Sequence, residues 1–199
     1  MDLILASASP RRLELLRQIG VSPQVIPALI DESVLEGEGS SDYVLRLAQE
    51  KANRVFMALP EGLKLTSVCL GSDTSVILDN KILGKPQDRE ESRMMLRALS
   101  GRAHQVVTGI AIAGEFGVIS QLVATDVWFR TLSEQQIESY WDTGEPQDKA
   151  GSYGIQGFGA IFVERIEGSY SAVVGLPLTE IAQLLDQVGV PIWRAQKQN

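Results

Sequence analysis

The alternation of apolar and polar positions predicts a chain of interleaved strands and helices. A short apolar run from Leu3 to Ser7 reads as a strand, and "SPRRLELLRQIG" follows as a helix. In that helix Ser9 is the N-cap, Pro10 the first helical residue, Leu13, Leu16 and Ile19 one face, and Gly20 the stop. "DESVLEGEGSSD" is polar and reads as a loop. It leads into a helix capped by Ser40 or Ser41 and running to about Leu59, with Val44, Leu47, Ala48, Ala52, Val55, Phe56 and Leu59 on its apolar stripe. "TSVCLG" reads as a buried strand ending at Gly71, followed by a tight connection and a hairpin that turns at Asp79-Asn80.

Further along, Asp88 and Glu91 stand at capping-box spacing before a helix that stops at Gly101. "HQVVTGIAIAG" and "GVISQLVATDVWFR" form an antiparallel pair across "GEFG". Ser133 and Gln136 open another capped helix that ends at Gly144. "EPQDKAGSYGIQGFGA" reads as a binding loop with interleaved Lys149, Tyr153 and Gln156. A last strand pair and a helix around Glu180 to Val188 close the chain. No repeat or linker interrupts this order, so one domain over residues 1–199 is expected, of α/β or mixed α+β class.

Two positions break the pattern. Arg11 and Arg12 fall in a first helical turn, where the positive end of the helix dipole makes each cation cost about 0.3–1 kcal/mol when nothing offsets it. Lys51 lies seven residues after Val44 and four after Leu47, so it points with the apolar stripe. Either it meets an anion inside or its ammonium snorkels out to water.

Composition narrows the chemistry. With 199 residues, 44% hydrophobic, and a net charge of −7, the chain is an ordinary globular protein, and broad binding to nucleic acid or an anionic membrane is not expected. A single cysteine, Cys69, excludes an internal disulfide and fits a reducing cytoplasm. The N-terminus lacks the pattern of a secretory signal, and no apolar run reaches membrane-spanning length. A single histidine, His104, leaves little from which to build a His-based triad or zinc cluster and reads as structural.

Arg11, Arg12, Lys51 and Lys85 each stand beside a cap, stripe or turn, and together they suggest a polyphosphate cradle at a helix N-terminus. Asp73, in "GSDTS", is the best single catalytic candidate: a carboxylate there can hold a hard cation, position water or take its proton, or else simply close a turn. Glu32 supplies a second carboxylate or is a solvated loop acid. A Gly-x4-Gly-Lys-Ser/Thr phosphate loop, a dinucleotide-binding glycine motif in its strand–helix context and a serine-hydrolase elbow are all missing.

The blocks "SASPRRLELL", "YVLRLAQEKA", "GSDTSVILDNKILGKP", "LSGRAHQVVTG", "EPQDKAGSYGIQG" and "GSYSAVVGLPL", in that order, resemble the Maf family of nucleotide pyrophosphatases, also described as septum-formation inhibitors. The resemblance implies an elongated mixed sheet flanked by helices, with two lobes and a central cleft, similar to inosine triphosphate pyrophosphatases. It implies hydrolysis of a nucleoside triphosphate to the monophosphate and pyrophosphate with a divalent metal, Mg²⁺ or Mn²⁺. By resemblance Asp73 is the proton acceptor, Ser9, Arg12, Glu32, Lys51 and Lys85 belong to the active site, and Glu32 and Asp73 are the metal-binding carboxylates.

Arg11, Thr74 and Gln156 match positions associated with substrate choice in the branch acting on dTTP and UTP, although Ser72 and Ser75 depart from that branch's usual residues. Gln156 carries both a donor and an acceptor, suited to the O4/N3–H edge of a pyrimidine. The alternative is a nucleotide-binding regulator of cell division acting through a protein partner. A homodimer is compatible with the sequence, since symmetric dimers are common.

Overall fold

Strand β1 (Asp2–Leu5) and helix α1 (Pro10–Gln18) open the chain in the computed structural model, which describes residues 1–193. The expected domain over 1–199 extends into residues 194–199, which lie outside the described residues. A two-residue strand β2 (Gln24–Val25) precedes a stretch without helix or strand, and α2 (Ser40–Met57) and α3 (Glu61–Lys64) follow. Next come β3 (Ser67–Leu78), β4 (Lys81–Leu83), α4 (Arg89–Leu99), β5 (Ala103–Gly114), β6 (Gly117–Phe129) and α5 (Glu134–Asp142). Three 3-10 segments (Glu145–Asp148, Ala150–Ser152 and Phe158–Phe162), β7 (Val163–Glu167), α6 (Tyr170–Val174) and α7 (Leu178–Gln187) complete it.

Hydrogen bonds order the strands β2-β1-β3-β5-β6-β7, with β4 on β3, in a seven-stranded sheet. β1 runs parallel to β2 and β3, whereas β4 and β7 pair antiparallel with β3 and β6, so the sheet is mixed and the class is α/β. Contacts divide the chain into two units. One comprises 1–73, 108–123 and the chain from Gly175 onward; the other comprises 74–107 and 124–174.

In the first unit β1 buries Leu3, Ile4 and Leu5, and α2 buries Val44, Leu47, Ala48, Ala52, Val55 and Phe56. Helix α1 buries Leu15 and Leu16, while the expected Leu13 and Ile19 are only half-buried; two neighbouring leucines, rather than an i, i+3, i+6 row, face the core. Helix α2 and strand β3 approach closely at Gly71. A Cβ there would stand 2.2 Å from the Ala48 carbonyl oxygen and 2.6 Å from the Ala52 amide nitrogen, both backbone atoms of α2. Gly109 repeats the device against the Val44 carbonyl oxygen at 2.7 Å. Small residues on both sides bring the helix backbone onto the strand.

The second unit is built around an aromatic cluster. Phe129, Tyr140, Tyr153 and Phe162 pack with Leu96, Leu99, Val106 and Ile137. His104 joins it: Nε2 lies 2.8 Å from the Tyr153 hydroxyl, and the ring stands edge-on to Phe129 at 4.9 Å. Burial holds this imidazole down at about 4, with Asp126 opposing the shift.

The punctuation residues act at several predicted positions. Asp79 and Asn80, at φ 51 and 62, make the β3–β4 turn. Ser133 and Gln136 form a reciprocal capping box. Asp88 caps the Glu91 amide, but the Glu91 carboxylate accepts from Gln87 rather than from the cap residue.

Four local expectations change. Helix α2 starts from Gly39, not from a serine cap. In place of the last strand pair, the single strand β7 is followed by helix α6, where Ser169 Oγ accepts from the Ala172 amide and starts a turn. Tyr153 belongs to the core rather than to a binding loop. Strand β3 does not stop at Gly71 but runs on to Leu78, so Asp73 is an interior strand residue and closes no turn.

Gly71→Ala is expected to lower stability by about 1–3 kcal/mol, read as a fall in the urea midpoint, since the added methyl meets backbone that cannot step aside. Gly62→Ala, with nothing within 4 Å, is the control and leaves the midpoint unchanged or raised. For His104 the unfolded state takes up a proton near pH 6.5 and the folded state only near 4, so stability falls as pH drops through that window, by up to about 3 kcal/mol. Denaturant unfolding at pH 7 and pH 4.5 checks this, and His104→Asn removes that part of the pH dependence.

Candidate active site

Helix α1 begins with Ser9 in extended conformation, its side chain making no cap bond, and its first turn contains no acidic residue. The Ser9 amide donates to Ser7 Oγ at 3.2 Å. Arg11 and Arg12, both half-buried, follow Pro10. Arg12 is tied down: Nε donates to the Gly175 carbonyl at 2.9 Å and Nη1 to Ser7 Oγ at 3.1 Å. Burial lowers the Arg12 pKa from its ordinary value and Arg11 adds to the depression, while Asp73 and Glu32 oppose it.

The Gly71 approach decides the next contact. With Ala48 and Ala52 against β3, the intervening turn of α2 carries Lys51 onto the strand two residues past the glycine. Lys51 Nζ stands 2.7 Å from Asp73 Oδ1 and 2.7 Å from Glu32 Oε1. Lys51 and Asp73 are buried, at 8% and 9% exposure, whereas the Glu32 side chain is 55% exposed. The ammonium therefore does not snorkel to water. It meets two acids, one buried on β3 and one presented by the irregular segment before α2. Tyr43 of α2 steadies that segment by donating its hydroxyl to the Glu32 carbonyl at 2.9 Å.

The first unit thus brings Arg12, Glu32, Lys51 and Asp73 together, with Ser9 and Arg11 beside Arg12 on α1. Thr74, Lys85 and Gln156 belong to the second unit. Thr74 is the half-buried residue after Asp73 on β3; Lys85 is exposed in the segment between β4 and α4; Gln156 is exposed in the turn between two 3-10 segments.

Three residues that sequence spacing did not single out for the site support it: Ser7, Ser72 and Gly175. Ser72 Oγ donates to the Gly175 carbonyl at 3.1 Å, the same oxygen that accepts from Arg12. Gly175 has φ 129, a conformation open to glycine, and "VVGLP" just before α7 is the sequence signal of a turn there.

Among the described residues no group of three or more His, Cys, Asp or Glu side chains gathers as a metal cage. Glu32 and Asp73 nevertheless converge on one point, now occupied by the Lys51 ammonium. Two oxygen donors fit a hard cation such as Mg²⁺, which is bound through one or two carboxylates with substrate phosphates and water completing its shell. Cations, an exposed helix start and a carboxylate able to accept a proton thus share one face of chemistry: binding a polyphosphate and activating water against it.

Comparison with known proteins agrees with this chemistry. The Maf-like protein family matches residues 2–188. The dTTP/UTP pyrophosphatase of Colwellia psychrerythraea (strain 34H) is 55% identical over 94% of this chain and 88% of its own length. Those of Hahella chejuensis and Saccharophagus degradans are 50% and 51% identical, over 96% and 97% of this chain and 94% and 91% of theirs. Among solved structures the Staphylococcus aureus Ham1 protein aligns with a TM-score of 0.43 and 13% identity over 65% of this chain and 72% of that one, too slight a likeness to carry an argument. On the family match and these identities, the chain belongs to the Maf family.

Proposed function

We propose that the protein hydrolyses nucleoside triphosphates, dTTP and UTP foremost, to the monophosphate and pyrophosphate. The observation that carries this reading is the buried Lys51 ammonium, 2.7 Å from both Asp73 and Glu32, in the same unit as an Arg12 already fixed at a helix start. The names of relatives at 50–55% identity support the substrate class.

In this reading the phosphates lie against the α1 N-terminus and meet Arg12 and Lys51, whose charges offset the negative charge of the reacting group, and Lys85 is a further candidate cation for the substrate. Asp73 takes a proton from a water whose oxygen attacks the α-phosphorus. The bond from that phosphorus to the bridging oxygen breaks, and pyrophosphate leaves with the electron pair. Glu32 and Asp73 would hold a divalent cation, Mg²⁺ or Mn²⁺, which when bound supplies further charge neutralisation on the phosphates. Arg11, Thr74 and Gln156 are the candidates for governing the choice of base, and the Gln156 amide carries the donor and the acceptor that suit the O4/N3–H edge of uracil or thymine.

Purified protein with Mg²⁺ or Mn²⁺ is expected to release pyrophosphate from UTP and dTTP with kcat/KM at least tenfold above that for CTP and GTP. In ¹⁸O-water the label enters the monophosphate. Asp73→Asn is expected to bind UTP yet lose about 10³-fold in kcat. Absence of pyrophosphate from every nucleotide, or full turnover by folded Asp73→Asn, overturns the reading. A variant that binds but does not turn over also decides whether any effect on division needs hydrolysis.

Lys51→Met is expected to cost at least 100-fold in kcat/KM. It also strands the buried Asp73 carboxylate without its cation, lowering stability by about 1–3 kcal/mol. Denaturant unfolding should show a smaller loss for Lys51→Met on top of Asp73→Asn than in the wild-type chain.

A further inference from the structure

Glu32 comes from a segment with neither helix nor strand, and its side chain is more than half exposed. A carboxylate so presented needs something to hold its backbone. Three features do so, and two of them come from the helix that carries Lys51. Asp31 Oδ1 accepts from the Ser33 amide at 2.9 Å and its hydroxyl at 2.7 Å, closing a local turn around Glu32. The Tyr43 hydroxyl takes the Glu32 carbonyl. Arg46 takes the next one, donating from Nη2 to the Ser33 carbonyl at 3.0 Å.

The same guanidinium grips the far end of the segment. Nε and Nη2 donate to the two oxygens of Glu38 at 2.5 and 2.8 Å, a bidentate fork that lysine could not reproduce. Glu38 Oε2 in turn accepts from the Leu35 amide at 3.0 Å. Arg46 is itself braced, with Glu50 one turn on at 3.3 Å and the Tyr43 ring 5.6 Å away. The Glu38 side chain is only 8% exposed and Arg46 19%, so this pair is less open to solvent than an ordinary surface ion pair. The hydrogen bond from Arg46 holds the Glu38 carboxyl down at about 2, so the contact is ionised at neutral pH.

We propose that Arg46 is a positioning residue for Glu32: its guanidinium latches the 32–38 segment onto α2 and so sets where the Glu32 carboxylate meets Lys51 and a divalent cation. This rests on the reading of Glu32 as part of the catalytic site. Tyr43, Arg46 and Lys51 lie at i, i+3 and i+8 on α2, so one rigid helix carries both the cation that Glu32 faces and the groups that aim it.

The test compares Arg46→Ala in the wild-type chain and in a Glu32→Ala background. Three quantities are read: Mn²⁺ affinity, from free Mn²⁺ by electron paramagnetic resonance with a non-hydrolysable UTP analogue present; kcat and KM for UTP; and hydrogen exchange at the amides of residues 33–35. In the wild-type background Arg46→Ala is expected to weaken Mn²⁺ binding and lower kcat by at least tenfold each, with KM changed less than threefold and faster exchange at 33–35. In the Glu32→Ala background the same substitution changes Mn²⁺ binding and kcat less than twofold.

Equal losses in both backgrounds, or unchanged Mn²⁺ affinity and kcat in folded Arg46→Ala, overturn the proposal while leaving the hydrolase reading intact. If Glu32→Ala alone matches the wild type, the role of Glu32 falls and the positioning role with it. Should Arg46→Ala fail to fold, Arg46→Lys and Glu38→Gln break the fork with less disturbance and are held to the same criteria.

Discussion

The approach of α2 to β3 over Gly71 is the constraint on which the first unit's chemistry depends. Helix and strand backbones come within a distance that a single methyl group would forbid. This places Lys51 on Asp73 without a loop between them, on two of the most regular elements of the molecule. Precision of that kind is what catalytic groups require, because an error near an ångström in their placement is costly in rate. The alanines and glycine that permit it carry no chemistry themselves.

Electrostatics follows from that geometry. The protein is acidic overall, yet at the centre of its site the Lys51, Asp73 and Glu32 charges offset one another. The Lys51 ammonium, removed from water, is satisfied by two carboxylates, and Arg12 is satisfied by a serine and a backbone carbonyl. An arriving triphosphate therefore meets groups already oriented, and the cations at the start of α1, unfavourable toward the empty helix end, become favourable when an anion sits there.

Much of this was legible in the residues, for identifiable reasons. Lys51 betrayed itself by occupying an apolar stripe, although periodicity alone left open whether its ammonium turns inward or snorkels out; the two carboxylates it meets are a tertiary fact. The β3–β4 turn and the α5 capping box were readable because Asp79-Asn80 and Ser133/Gln136 act through local backbone chemistry. Asp73 stands out in "GSDTS" as a chemistry-bearing carboxylate, but "GSD" looks like a strand end, whereas the strand runs on past it to Leu78 with α2 packed over Gly71. The partners of Glu32 were illegible for the opposite reason. Arg46 looks like any solvated charge on a helix until the segment it grips, eight to fourteen residues upstream, folds back on it. Tyr153 shows the same limit, since burial on His104 and Phe129 is a tertiary fact.

The Gly175 carbonyl accepts from both Arg12 and Ser72, so one main-chain oxygen joins the start of α1 to β3. That acceptor belongs to the backbone, not to a side chain, and no substitution that keeps the turn can delete it. The aim of Arg12 is thus written into the path of the chain, and its rotamer freedom, worth about 2 kcal/mol for a side chain of this kind, is already surrendered at folding. A ligand that meets this guanidinium does not have to order it.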